Sequence, residues 1–108
     1  MKLINKYQNK IISTNLEIAS SLKDLIFGLL IKPKGTSLLF KTRWGIHTLL
    51  MKYPIDVLIL DQNLRVVKIK TKLYPNRFFF WNPIYSIVIE LPPNKTSGTK
   101  IGHLFQIH

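Results

Sequence analysis

The side chains able to do acid–base chemistry are few: three histidines (His47, His103 and His108), five carboxylates and no cysteine. Imidazole titrates near neutrality and a carboxylate can orient it, so His47 with Asp56 would make a general acid–base pair if the fold joined them. The simpler expectation is that His47 hydrogen-bonds within a sheet while Asp56 accepts backbone amides at a strand entrance. His47, Thr48, Met51 and Asp56 also form a polar cluster at strand boundaries inside an otherwise apolar segment. Such a cluster suits a notch for a small polar ligand or a partner's loop. No organised nucleophile accompanies it. No catalytic residue is therefore assigned: the leading expectation is a non-enzymatic binding or accessory domain using this notch, a basic nucleic-acid-binding module is the alternative, and a hydrolase-like use of His47 and Asp56 ranks third.

Without cysteine there is no disulfide framework, thiolate zinc site or cysteine nucleophile. A metal site needs three or four convergent ligands, and the chain has no His-x-x-x-His pair, so neither metal nor cofactor is expected. Lys34-Gly35-Thr36-Ser37 has a superficial likeness to a phosphate loop. It lacks the leading glycine and spacing, and it follows an expected helix where that motif follows a strand. Neither a Gly-x-Ser-x-Gly elbow nor a His-Glu-x-x-His helix is present.

The charge balance points to an acidic partner. Lysine and arginine number 16 against 5 aspartate and glutamate, a formal net charge of +11. Lys68, Lys70, Lys72 and Arg77 lead into Phe78-Phe79-Phe80-Trp81, with Tyr74 between. Cations beside exposed rings are what single-stranded nucleic acid requires, phosphate neutralisation plus stacking platforms, with Phe79 and Trp81 as the rings whose loss should weaken binding. The same residues would suit an anionic membrane surface. The plainer expectation is that the aromatics fill the core while the lysines solvate a strand face.

These groups must be positioned mainly by strands. Leu3-Ile4 and Ile11-Ile12 flank a polar stretch and predict an amino-terminal hairpin, with Leu16 to Ala19 as a half-buried strand. Leu22, Leu25, Ile26, Leu29 and Leu30 fall on one helical stripe, so a helix is expected over about Ser21–Ile31, capped by Ser21 and stopped at Pro33-Lys34-Gly35. Ser37–Phe40, Ile46–Met51 and Ile55–Leu60 predict strands, the last apolar on both faces and hence covered on both sides. Asp61-Gln62-Asn63 supplies turn chemistry, and Leu64–Thr71 returns as a hairpin partner. On that partner Val67 and Ile69 are expected on one face, with Lys68, Lys70 and Lys72 as a basic stripe of about 13 Å on the other. Tyr85–Leu91 is a further strand, residues 94–102 suit one helical turn, and Leu104–Ile107 closes the chain. The class is α+β: one β-rich domain over residues 1–108, a bent antiparallel-rich sheet or partial barrel packed by one helix. Within it, residues 1–19 hold the hairpin and strand, 20–32 the helix and 36–107 the β-rich body.

The apolar runs exclude two targeting devices. The amino terminus has no apolar stretch of roughly 7–15 residues, as a secretory signal requires, and no run approaches the ~20 residues of a membrane span. A cytoplasmic location is expected, and a spare apolar edge strand would allow a homodimer.

Several motifs occur in a recognisable order: Gly28-Leu29-Leu30, Leu38-Leu39-Phe40, the block His47-Thr-Leu-Leu-Met-Lys-Tyr-Pro-Ile-Asp-Val-Leu-Ile-Leu-Asp61, Leu73-Tyr74-Pro75 and Val88-Ile-Glu-Leu-Pro92. Together they resemble the small bacterial and archaeal proteins of domain-of-unknown-function family 192, from about Leu3 to Ile107. The most specific piece is His-Thr-x-x-Met-x-x-Pro-Ile-Asp. The resemblance implies a compact β-rich domain with a packed helix and implies no activity, substrate or cofactor. It places the family's recurrent polar positions on His47, Thr48, Met51, Pro54, Asp56 and Asp61, with Glu90 in a later strand. Two positions depart from the pattern: Leu25 stands where the family has an arginine before its Gly-Leu-Met, and Gly102-His103 replaces a closing Gly-Asp. Many members also carry a secretion or lipoprotein signal, and none is expected here.

Overall fold

A computed structural model of the chain describes residues 1–19, 28–43 and 45–108. Within them the strands are β1 (Leu3–Asn5), β2 (Lys10–Ser13), β3 (Leu16–Ile18), β4 (Ser37–Lys41), β5 (Gly45–His47), β6 (Ile55–Leu60), β7 (Val66–Leu73), β8 (Phe78–Phe80), β9 (Ile87–Leu91) and β10 (Phe105–Ile107). They assemble into three open sheets with orders β10-β1-β2, β3-β4-β9-β6-β7 and β5-β8. Every pair is antiparallel except β3 with β4.

The five-stranded sheet is the middle layer, and β6 shows why. All six of its residues are buried. Successive strand side chains point to opposite faces, and those of β6 enter two different cores. Ile55, Val57 and Ile59 join Leu38, Phe40, Ile46, Phe79, Trp81 and Val88 on one side. Leu58 and Leu60 join Leu3, Ile12, Leu39, Ile89 and Phe105 on the other. The three-stranded sheet covers the second face and the β5–β8 ribbon the first. The continuous apolar run of β6 thus has the meaning expected of it, a strand covered on both sides.

The β6–β7 hairpin turns as its sequence requires. Asp61 Oδ1 accepts the amides of Asn63 and Arg65, both at 2.9 Å, and closes the turn. Two irregularities then break the alternation along β7. Leu60 pairs with Val66 and Ile59 with Lys68, which leaves Val67 as an extra residue; Val57 pairs with Lys70 and Ile55 with Leu73, which leaves Thr71 and Lys72 opposite Asp56. Each bulge reverses the facing of the strand residues beyond it. Val67 therefore packs against the first core and Ile69 against the second, instead of sharing a face. The expected stripe is also interrupted: Lys68 and Lys70 share a face, but Lys72 sits in the bulge with φ of 52°.

Other departures are local. Of the packed helix expected over 21–31, residues 20–27 lie outside the described residues, and the described part, Gly28–Ile31, forms a single 3-10 turn. The strand expected over 46–51 ends at His47 and gives way to a turn in which Leu50 has φ of 67°. Residues 94–102 form successive turns without a helical one. No helix among the described residues is long and apolar enough to cross a membrane.

Candidate functional site

The residues expected to form a polar notch turn out to hold two segments of backbone. Asp56 is 1% exposed. Its Oδ1 accepts the Lys72 amide at 3.0 Å, and its Oδ2 accepts the Thr96 amide and hydroxyl at 3.1 and 2.8 Å. A carboxylate opposite the bulge thus satisfies the amide of a residue held at positive φ, a conformation an L-residue adopts only when its surroundings compensate. Thr48 does the equivalent for the 74–77 turn. Its hydroxyl donates to the Tyr74 carbonyl at 2.7 Å and accepts the Arg77 amide at 3.0 Å. Its own amide donates to the Arg77 carbonyl, and its carbonyl accepts the Asn76 amide, both at 2.9 Å. Asn76 Oδ1 in turn accepts the Leu50 amide at 3.0 Å. The 48–51 and 74–77 turns are therefore clamped together.

His47 adjoins Thr48 in the chain but is not one of the Asp56 partners. Its Nδ1 accepts the Leu49 amide at 3.3 Å, and its strand partner is Phe78. All the side-chain hydrogen bonds of Asp56 go to Lys72 and Thr96, so among the described residues the two are not hydrogen-bonded as an acid–base pair. Met51 is buried in the first core. The other internal histidine, His103, is also structural: its Nδ1 faces both the Lys100 amide and Asn5 Nδ2, so it serves as acceptor, and its ring stacks on Tyr7 at 4.3 Å. Among the described residues no group of three His, Cys, Asp or Glu is placed to hold a metal ion.

The clamped segments carry the basic and aromatic residues. Lys70, Lys72, Tyr74, Arg77 and Phe78 line an open cleft of about 380 Å³ between β7 and β8. Asp56 sets where Lys72 stands, and Thr48 sets the turn that delivers Tyr74 and Arg77. The sole ion pair found among the described residues joins Lys32 to Glu17, so no described carboxylate forms an ion pair with the cleft cations. Lys68 has a different task. Its ammonium donates to the Phe80 carbonyl at 3.0 Å and stands 5.0 Å over the Phe79 ring, which ties β7 to β8.

The aromatic run divides by strand alternation. Phe79 and Trp81 point into the first core, their centroids 5.9 Å apart, and Trp81 Nε1 donates to the Tyr85 carbonyl at 2.8 Å. Trp81 is therefore a core residue, and its ring is not offered to solvent. Phe78 and Phe80 point outward, 61% and 63% exposed, and Tyr74 is 56% exposed. The alternation of a short strand through Phe78-Phe79-Phe80 is the sequence signal for this division. On the partner strand Gly45 faces Phe80, and a Cβ there would come within 2.5 Å of Phe80 Cδ1, so only glycine leaves room for the ring.

A second buried carboxyl stands apart from the cleft. Glu90, on β9 between Leu38 and Val57, lies against Gly28 and accepts the Leu29 amide at 3.4 Å. Burial pushes its pKa from 4.5 to about 7, opposed by that amide. A Cβ at Gly28, where φ is +54°, would lie 2.6 Å from Glu90 Oε1, so the glycine lets the turn close over the carboxyl.

No family model matches the chain, and no curated protein matches it. Two solved structures are similar in fold. A protein of unknown function from Novosphingobium aromaticivorans superposes with a TM-score of 0.74 at 13% identity, over 98% of this chain and 82% of its own. A protein from Sinorhizobium meliloti, described as a "putative transcription regulator", superposes with a TM-score of 0.71 at 14% identity, over 97% of this chain and 89% of its own. At such identities the likeness is one of fold: the chain shares the β-rich single-domain architecture of these two proteins along nearly its whole length.

Proposed function

We propose that the protein is a non-enzymatic binding module that holds single-stranded nucleic acid along the cleft between β7 and β8. The observation that carries this reading is the convergence of Lys70, Lys72 and Arg77, none ion-paired with a described carboxylate, on a cleft bordered by exposed Tyr74 and Phe78. Cations provide the sequence-independent attraction to phosphate, and exposed rings distinguish bases from a bare polyanion. The Sinorhizobium neighbour is described as a "putative transcription regulator", and at 14% identity that likeness is one of fold, so the weight rests on the cleft. Membership of domain-of-unknown-function family 192 is part of the same proposal, resting on the block from His47 to Asp61.

A notch for a polar small ligand at His47, Thr48, Met51 and Asp56 has less support. The hydrogen-bonding atoms of Thr48 and Asp56 are committed to neighbouring segments, and Met51 is core. The proposal is tested by fluorescence anisotropy of a short labelled single strand titrated with protein at two salt concentrations. Binding that persists near ~0.15 M salt and weakens for Lys72→Gln and Arg77→Gln is the expected result. Binding confined to low salt and indifferent to both substitutions would reduce the cleft to generic charge attraction.

A further inference from the structure

We propose that Phe78 and Phe80 act as a two-ring clip for one unpaired base of the bound strand, an inference that rests on the cleft being a nucleic-acid site. The two rings stand two residues apart on β8 and project from the same face. Their planes are within 3° of parallel, and their centroids are 6.2 Å apart. One base between two rings makes a stacking contact on each of its faces, so the two exposed side chains must move apart by rotamer adjustment to admit it.

The rings are held by the ribbon beneath them. Phe79, between them, is anchored in the first core beside Ile46, its partner on β5. Gly45 leaves the space that Phe80 occupies. Charge favours a nucleotide over an apolar protein surface as the occupant. Phe78 lines the cleft together with Lys70, Lys72 and Arg77, which supply positive charge beside the clip. A duplex keeps its bases stacked and paired, whereas a single strand can splay one out.

The test compares a labelled oligothymidylate, an abasic oligomer of equal length and charge, and a duplex, each titrated into the wild-type protein, Phe78→Leu and Phe80→Leu. Leucine keeps the apolar bulk and removes the planar face. The expected result is that the wild type binds the oligothymidylate about ten-fold more tightly than the abasic oligomer or the duplex. Each leucine variant should lose most of that preference, read as the ratio of oligothymidylate to abasic affinity. A wild-type preference for the oligothymidylate that survives in both leucine variants would overturn the clip and leave the cleft reading standing, with Tyr74 as the ring that meets the bases. Absence of binding to every oligomer near ~0.15 M salt would overturn both. A dimer seen by sedimentation and lost in Phe80→Leu, without any preference for bases, would overturn the clip in favour of a contact between two copies of the chain.

Discussion

Asp56 and Glu90 are both buried carboxyls, and their surroundings give them opposite consequences for stability. Asp56 meets three donors, so removing it leaves the Thr96 hydroxyl and amide and the Lys72 amide without their acceptor. Asp56→Ala should cost about 3 kcal/mol, read as a lower urea midpoint, and Asp56→Asn less because one acceptor oxygen survives. Glu90 has a single weak donor among the described residues and a pKa raised to about 7. A carboxyl that holds its proton more tightly when folded is most favourable below its ordinary pKa of 4.5; stability is lost as pH rises toward 7 and then levels off. The full loss corresponds to about 3 kcal/mol. Subtracting the stability-versus-pH curve of Glu90→Gln from that of the wild type should isolate this descent between pH 4.5 and about 7. A flat difference curve would show that Glu90 titrates normally. At this scale the sequence is partly legible: its position at a strand entrance gives Asp56 a backbone-satisfying role, but its actual partner Thr96 lies on a distant turn that spacing along the chain does not reveal.

At the scale of elements, the β5–β8 ribbon and the bulge in β7 decide what the cleft presents. Gly45→Ala places a Cβ 2.5 Å from the Phe80 ring and 2.8 Å from the Phe79 carbonyl. A flexible ring can move aside, but the backbone cannot, so the variant should lose about 1–3 kcal/mol, with altered ring proton shifts for Phe80 in NMR spectra. Lys72 offers the converse case. A residue with φ of 52° is relieved by glycine, so Lys72→Gly should match or slightly exceed wild-type stability while weakening strand binding. A fall in both would mean that the Lys72 side chain also braces the bulge. Most strands can be read from alternation and turn residues, including the β1–β2 hairpin, β4, β6 and β10. The bulges cannot, because Val67, Thr71 and Lys72 carry no glycine or proline to mark an extra residue. One unrecognised extra residue reverses the facing of all those beyond it, which is why simple alternation misplaces the lysine stripe and puts Val67 and Ile69 on one face. Trp81 is misplaced for a related reason: its position beside cations hides the fact that alternation carries it inward with Phe79.

For the molecule as a whole, the two-sided burial of β6 is the feature from which three layers can be inferred, and the structure supplies a core on each side. The net charge of +11 sets a field over the entire surface, so some affinity for any polyanion is expected at low salt. What separates a site from that background is localisation. In a plot of log affinity against log salt for a single strand, Lys72→Gln and Arg77→Gln should each reduce the slope by about 0.7, whereas Lys2→Gln, remote on the amino-terminal sheet, should leave it unchanged. The most direct observation is a map of amide shifts in the isotope-labelled protein as a short oligothymidylate is added near physiological salt. Saturable changes confined to Lys70–Phe80 and the β8 partner strand Gly45–His47 are the predicted result. Small, unsaturated changes spread over lysines on every face, with none at Tyr74, Phe78 or Phe80, would contradict a nucleic-acid site in the cleft.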